Sequence, residues 1–249
     1  MFDSSLRIFV MFKIEAVSEC NAIIYFGDQI DLLLTPKISE FVAHLQTLAH
    51  PAIVEVIPSY TSVLIQYRPD VLSYQQLYRL LVDYFAQPEE GPVEGVEMEG
   101  NYQAKQITLP VYYGSEVAPD LAVVADEKGL SIEQVIHLHS ERTYTVCAIG
   151  FAPGFAFLAP VDESIATPRH VEPRKWIPAG SVGIANQQTA VYPNESPGGW
   201  QIIGNCPLPL FQPQQSPMTP FQVGDQVRFT AISKDEFLQQ GGQIWPQWK

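Results

Sequence analysis

Four basic residues, Arg169, His170, Arg174 and Lys175, fall within seven positions of a chain that carries 14 Lys+Arg against 27 Asp+Glu. Guanidinium groups present paired N–H donors to carboxylate and phosphate oxygens, so this cluster suits an anion. Its other role would be solubility, or ion pairs to the chain's own carboxylates. Gly198-Gly199 reads as a tight turn with accessible backbone N–H groups, a second device for holding negative charge. Ser196 stands in Asn194-Glu195-Ser196-Pro197-Gly198, which resembles a nucleophile elbow but lacks the first glycine of G-x-S-x-G and has proline after the serine. An acyl-enzyme serine is therefore not expected. His139 shares one helical face with Ile132, Val135 and Ile136. A histidine in that position is either a hydrogen-bonded core residue or a general base. His137 and His139 form an H-x-H pair, but no third ligand has a suitable spacing for a metal. Neither G-x-x-x-x-G-K-[ST] nor G-x-G-x-x-G occurs, so the familiar phosphate loops are missing.

The elements that must position these groups lie between about Tyr144 and Pro207, where Gly and Pro recur throughout. Short apolar runs (Tyr144–Phe151, Ser181–Ala185, Thr189–Tyr192 and Trp200–Ile203) separated by such breakers predict a compact β barrel or sandwich with many loops. Upstream, Gln106–Tyr113 predicts a strand. Pro119-Asp120-Leu121 opens a short helix that Gly129 ends, and the capping pair Ser131 and Gln134 leads the helix of His139. Downstream, Val223-Gly224-Asp225 turns into a closing strand, and Asp235–Gln239 reads as a last short helix. The N-terminal part reads β-β-α-β-β-α: Phe12–Val17, Ala22–Phe26, a helix opening at Thr35-Pro36 and running to about His50, Ile53–Ile57, Ser62–Tyr67, and a helix behind the capping pair Ser73 and Gln76. Short connections make this a small α+β sandwich. Gln87–Gly100, with five glutamates and no basic residue, reads as an acidic linker or exposed excursion. The organisation expected is an N-terminal α+β domain over residues 1–88, a linker over 89–104 and a β domain over 105–249.

Composition narrows the function. A net charge of −13 argues against nucleic acid and against an anionic membrane surface, both of which need a basic face. Cys20, Cys147 and Cys206 are odd in number and widely spaced, which fits a reduced, cytoplasmic setting better than a disulfide framework. No apolar run approaches a membrane span, and the first residues do not read as a signal peptide; Met11 is an alternative start to Met1.

The run GFAPGFAFLAP, followed by TPRHVEPRKWIPAGSVGIANQQTAVYPNESPGGWQIIG, closely resembles the KipI/allophanate hydrolase subunit 1 family, whose bacterial members are described as the B component of 5-oxoprolinase. The likeness extends upstream through APDLAVVADEKGLSIEQVIHLHSERTYTV and downstream through VGDQVRF, with a weaker likeness in the N-terminal domain. Departures are mild: Ala118, Ala152, Ala156, Phe157, Ala190 and Val191 replace the family's usual residues and keep its turn skeleton. The resemblance implies an α+β domain followed by a cyclophilin-like β-barrel domain. It implies partnership with the C and A components of 5-oxoprolinase, an enzyme that opens 5-oxo-L-proline to L-glutamate while hydrolysing ATP to ADP and phosphate. ATP would be shared with the partners, with no metal or organic cofactor in this chain. Two alternatives come with the family: a protein-binding inhibitor of a sporulation histidine kinase, and a carboxyltransferase-type protein acting on a urea-like amide.

Lactam opening requires activation of the amide oxygen and stabilisation of developing charge. On that reading Arg169, Arg174 and Lys175, with the Gly198-Gly199 turn, handle the anion, and Ser196 is a further substrate-binding residue. Tyr144, Ser181, Gln188, Thr189 and Tyr192 supply hydrogen bonds, and His139 is the candidate general base.

Overall fold

The structure, a computed structural model, describes residues 12–29, 31, 33–86 and 104–245. The expected acidic linker and the choice between Met1 and Met11 lie outside the described residues. The chain divides into two units, residues 1–103 and 104–249.

In the first unit, two β-prone runs facing each other across a short turn form the hairpin of β1 (Lys13–Ser18) and β2 (Asn21–Tyr25). With β3 (Ile53–Pro58) and β4 (Ser62–Tyr67) they make an antiparallel sheet in the order β1-β2-β4-β3. Helices α1 (Leu34–Leu48) and α2 (Tyr74–Ala86) lay Ile38, Phe41, Leu45, Leu77 and Leu81 against Ile24, Val63 and Ile65. The start expected at Thr35-Pro36 is corrected slightly. Helix α1 already begins at Leu34, with Asp31 Oδ1 accepting from the Leu33 N–H. Pro36 fits inside the first turn because an N–H there has no intrahelical partner to lose. Helix α2 starts as its sequence predicts: Gln76 Oε1 accepts from Ser73 N–H at 2.9 Å, and Ser73 Oγ from Gln76 N–H at 3.4 Å.

The second unit is a barrel. Its strands are β5 (Gln106–Val111), β6 (Thr143–Ile149), β7 (Ala156–Ala159), β9 (Ser181–Ala185), β10 (Gln188–Val191), β12 (Gln201–Asn205) and β13 (Gln226–Ala231). They form one sheet in the order β12-β9-β10-β7-β6-β13-β5, antiparallel throughout except for the β13–β5 pair. The first and last strands meet just beyond β5, where Tyr112 and Asn205 exchange both backbone hydrogen bonds at 2.9 Å. That exchange nearly closes the cylinder and leaves little free edge. Helices α3 (Leu121–Lys128), α4 (Ile132–Ser140) and α5 (Lys234–Gln239) accompany it, α4 and α5 each opening on a complete capping box. A two-stranded ribbon, β8 (Arg174–Ile177) with β11 (Ser196–Gly198), lies outside the main sheet. The sequence does not predict β7, β8 or β11 as separate strands; they are three or four residues long and flanked by Pro and Gly. No helix among the described residues is long and apolar enough to cross a membrane.

A polar network sits in the barrel core. Thr189 Oγ1 donates to Gly183 O at 3.0 Å, so it must accept from His139 Nε2–H at 2.9 Å. His139 Nδ1 then accepts from Tyr113 Oη at 2.7 Å, while Tyr144 Oη donates to His139 O at 2.8 Å. Phe229 stacks on the imidazole at 4.5 Å. The histidine is wholly buried, and burial pushes it down to about 3.

The closing seam and the core histidine each make a measurable demand. A Cβ on Gly204 would come within 2.7 Å of Val111 Cγ1 and 3.0 Å of Tyr112 O, at the seam. Gly204→Ala should therefore destabilise by about 1–3 kcal/mol, read as a lower Tm; an unchanged Tm would show the seam to be compliant. For His139, the unfolded chain takes up its proton near about 6.5, whereas the folded imidazole stays neutral down to about 3. Between those values the unfolded state binds more protons, so this group's contribution rises with pH and is lost as pH falls through that window, by up to ~1.4 kcal/mol per pH unit. The Tm gap between the wild type and His139→Gln should narrow steadily on acidification, and parallel Tm–pH curves would contradict the buried neutral imidazole.

Candidate functional site

Residues of β9, β10 and β12 alternate between the barrel core and the outside. Val182, Ile184, Val191 and Ile203 point inward, whereas Ala185, Ala190, Tyr192 and Ile202 join a separate buried cluster with Phe155, Ile177 and Trp200. The β8–β11 ribbon contributes to that outer cluster through Ile177 on β8. Its register sets Ser196 opposite Ile177 and Gly198 opposite Arg174. A Cβ on Gly198 would lie 2.9 Å from Ile177 Cδ1 and overlap the Tyr192 hydroxyl, so only glycine lets the ribbon close over the tyrosine.

Arg174, at the start of β8, reaches Asp120 just before α3. Its Nη2 donates to Oδ1 at 2.6 Å and its Nη1 to Oδ2 at 2.8 Å, a bidentate pair with the carboxylate side chain only 6% exposed. Asp120 also binds β12: Oδ2 accepts from the Ile202 N–H at 2.6 Å, and the Asp120 N–H donates to Ile202 O at 3.0 Å. His170 completes the cluster, with Nε2 at 2.9 Å from Arg174 Nη1 and 3.3 Å from Asp120 Oδ2. The His170 N–H donates to Gly199 O at 2.7 Å, and Gln201 Nε2 donates to Pro168 O at 2.9 Å, tying the loop to the ribbon's exit.

Beside this cluster, the Arg169 guanidinium lies over Trp200, 5.6 Å from the ring centroid. Among the described residues Arg169 makes no ion pair. Tyr192 lies between the two arginines' fields: burial pushes its hydroxyl up to about 12, while Arg169, the Trp200 backbone and Arg174 favour the ionised form. Phe151 holds a left-handed backbone (φ 69°) and is 66% exposed as a residue, its ring edge-on to Phe155 at 5.2 Å and to Tyr192 at 6.5 Å. A non-glycine residue held at such φ costs on the order of 1–3 kcal/mol and is kept where its surroundings fix it.

The residues selected from sequence thus separate into two groups. Arg169, Arg174, Tyr192, Gly198 and Gly199 converge on the outer cluster. His139, Tyr144 and Thr189 form the barrel-core network instead, on the other face of the same strands. The Ser181 and Ser196 hydroxyl oxygens are buried without a hydrogen-bond partner among the described residues. Lys175 is exposed and Gln188 half-buried. His137 is exposed whereas His139 is buried, so the H-x-H pair does not converge. Sequence reasoning misses Asp120 and Trp200, and counts His170 only as one charge among four. Asp120 reads in sequence as the opening of a helix, yet its side chain makes no cap bond and is turned to partners 54 and 82 positions away.

Comparison with known proteins places this arrangement. Residues 12–221 match the family described as carboxyltransferase domain, subdomain C and D. The protein of Bacillus subtilis (strain 168) named as the B component of 5-oxoprolinase is 38% identical over 235 residues, covering 92% of this chain and 96% of that protein. The crystal structure of TTHA0988 is similar at a TM-score of 0.74 and 30% identity over 91% of this chain, which spans 41% of that longer one. The urea carboxylase of Kluyveromyces lactis, at 17% identity and a TM-score of 0.68 over 94% of this chain and 23% of that one, shares the fold. The family match runs through both units and through Asp120, His170 and Arg174, and on it the chain belongs to the carboxyltransferase domain family, subdomain C and D, alongside the B components of 5-oxoprolinase.

Proposed function

We propose that this chain is one component of a cytoplasmic, ATP-dependent 5-oxoprolinase, working with the enzyme's C and A components. The observation that carries this reading is the nearly end-to-end likeness to the Bacillus B component, 92% of one chain against 96% of the other. The reaction opens 5-oxo-L-proline to L-glutamate as ATP becomes ADP and phosphate. A lactam carbonyl is a poor electrophile, and phosphoryl transfer to its oxygen makes it a good one. Charge that develops there needs fixed cations and donors in a sheltered place. Arg169 suits the substrate's carboxylate, because its charge has no internal partner among the described residues and its guanidinium lies over Trp200. Arg174 is committed to Asp120, so its part is to hold the ribbon and the loop of residues 168–173 in place. The chain lacks the familiar phosphate loops, and ATP is shared with the partner components. A second reading, carboxyl transfer to a urea-like amide, is favoured by the description of the family itself.

The purified chain alone should show no 5-oxoproline-dependent ATP hydrolysis, and adding the A and C components from the same source should restore it. Robust turnover by the isolated chain would overturn the partnership, and turnover that needs bicarbonate and urea would favour the second reading. Within the active complex, Arg169→Lys keeps the charge but loses the planar fork and the stack on Trp200. A charged hydrogen bond contributes about 1.5–3 kcal/mol, so kcat/KM should fall about tenfold or more at unchanged Tm. Normal turnover would remove Arg169 from the site, and failure of the complex to assemble would move it to an interface.

A further inference from the structure

The Asp120 cluster dictates the tautomer of a histidine. His170 Nε2 lies 2.9 Å from Arg174 Nη1, and a guanidinium has only donors, so the imidazole nitrogen accepts. The carboxylate does not compete for a proton on Nε2: at 3.3 Å it is the longer contact, and its oxygens already receive Arg174 Nη1, Arg174 Nη2 and the Ile202 N–H at 2.6–2.8 Å. With Nε2 accepting, the proton of the neutral ring sits on Nδ1. Nδ1 has no partner among the described residues, and the side chain is 30% exposed. The cluster therefore leaves one oriented N–H donor without a partner among the described residues, on a partly exposed side chain.

Its sequence neighbour presents a second. The Arg169 guanidinium is fixed over Trp200 and likewise lacks a carboxylate partner among the described residues. Both residues are anchored to the ribbon's exit: the His170 N–H is bonded to Gly199 O, and Arg169 Cβ lies 3.8 Å from where a Gly199 Cβ would be. Trp200, under Arg169, and Tyr192 belong to the same buried outer cluster.

We propose that the Nδ1–H of His170 and the guanidinium of Arg169 form one donor pair that binds the carboxylate of a small amide or lactam, with Asp120 and Arg174 acting as positioning residues that hold the imidazole in its Nδ1–H tautomer. The carboxylate-bearing substrate class rests on the 5-oxoprolinase reading; the tautomer and the pairing of donors do not. One neutral and one cationic donor, both pre-set, match the two oxygens of a carboxylate and lose little freedom on binding it.

Two amide replacements separate binding from scaffolding. Asparagine sets an N–H near the position of Nδ1 but is too short to reach Arg174. Glutamine can offer its carbonyl to Arg174 in place of Nε2 but leaves no donor at Nδ1. In the assembled complex, calorimetric titration with 5-oxo-L-proline should give a Kd raised about tenfold or more by His170→Gln at unchanged Tm, and within about threefold of wild type for His170→Asn. The reverse order, glutamine restoring affinity and asparagine losing it, would make His170 a mere support for Arg174 and overturn the proposal. Independently, long-range proton–nitrogen spectra of the chain with nitrogen-15 histidine, under mildly alkaline conditions, should report a neutral Nδ1–H ring for His170 that shifts toward the Nε2–H form in Arg174→Met, where the freed Asp120 carboxylate becomes the acceptor. A wild-type Nε2–H ring would overturn the proposal whatever the enzyme's activity. A complex that binds 5-oxo-L-proline through this pair without hydrolysing ATP would sink the 5-oxoprolinase reading and leave the donor pair standing.

Discussion

The carboxylate of Asp120 is the constraint on which the rest of the second unit depends. A carboxylate taken out of water is costly unless fully paired, and this one is 6% exposed. It meets that requirement by binding three things that are distant in sequence: the backbone of β12 at Ile202, the guanidinium of Arg174 on the outer ribbon, and the edge of His170. Removing one partner from such a pair leaves a buried charge unmatched, at a cost of about 3–5 kcal/mol. Barrel edge, ribbon and loop are therefore held to one arrangement by a single group. Asp120 bonds the same strand, β12, that closes the barrel through Asn205 and Tyr112, so the residue that locks the ribbon also covers an edge the barrel would otherwise expose.

This arrangement explains why strands with apolar residues on both faces occur in a small barrel. A barrel strand usually alternates inward apolar and outward polar residues. Here Ser181–Ala185 and Gln201–Asn205 are buried along their whole length. The inner face packs on the main core, and the outer face is shared with Phe155, Trp200 and the ribbon's Ile177. Covering the outer face takes the β8–β11 ribbon, and the ribbon in turn needs Gly198 to pass over Tyr192. The polar atoms of the outer cluster follow from the same layering. Tyr192 keeps its hydroxyl beneath Gly198 of the ribbon, where a phenylalanine would leave no polar tip.

Much of the fold is legible in the sequence, because its signals are local. The capping pairs Ser73–Gln76 and Ser131–Gln134, the Gly129 stop and the runs Ser181–Ala185 and Ala22–Phe26 act within a few residues, and the structure contains them nearly as read. What escapes is non-local. The β8–β11 pair joins residues some twenty positions apart through strands of three and four residues, too short for any periodicity to show. Asp120 looks like one more helix-opening aspartate, because nothing nearby reveals that its partners lie 54 and 82 positions away. Within the cationic cluster the types are legible and the roles are not. Arg169 and Arg174 read alike in the sequence, and only the three-dimensional placement of one carboxylate makes the second a tether and leaves the first without an ion pair among the described residues.

The same layering bears on where chemistry can occur. The barrel interior holds a histidine bonded at both ring nitrogens, and its partners there among the described residues, Tyr113 and Thr189, are themselves buried. A group in that position exchanges no proton with a solvent-borne substrate without disrupting the core, so the interior stabilises and does not react. The outer cluster is built the other way. Its acid is buried and spent, its Arg174 is spent on that acid, and the groups left over are the exposed Arg169 and the partly exposed His170, on a loop tied to the ribbon's exit. Pre-set donors whose own charges are not cancelled internally are what a binding surface requires, because no existing bond has to break before a ligand is engaged. Placing such donors on a loop tied to a ribbon that one buried ion pair holds couples them to the barrel without burying them in it.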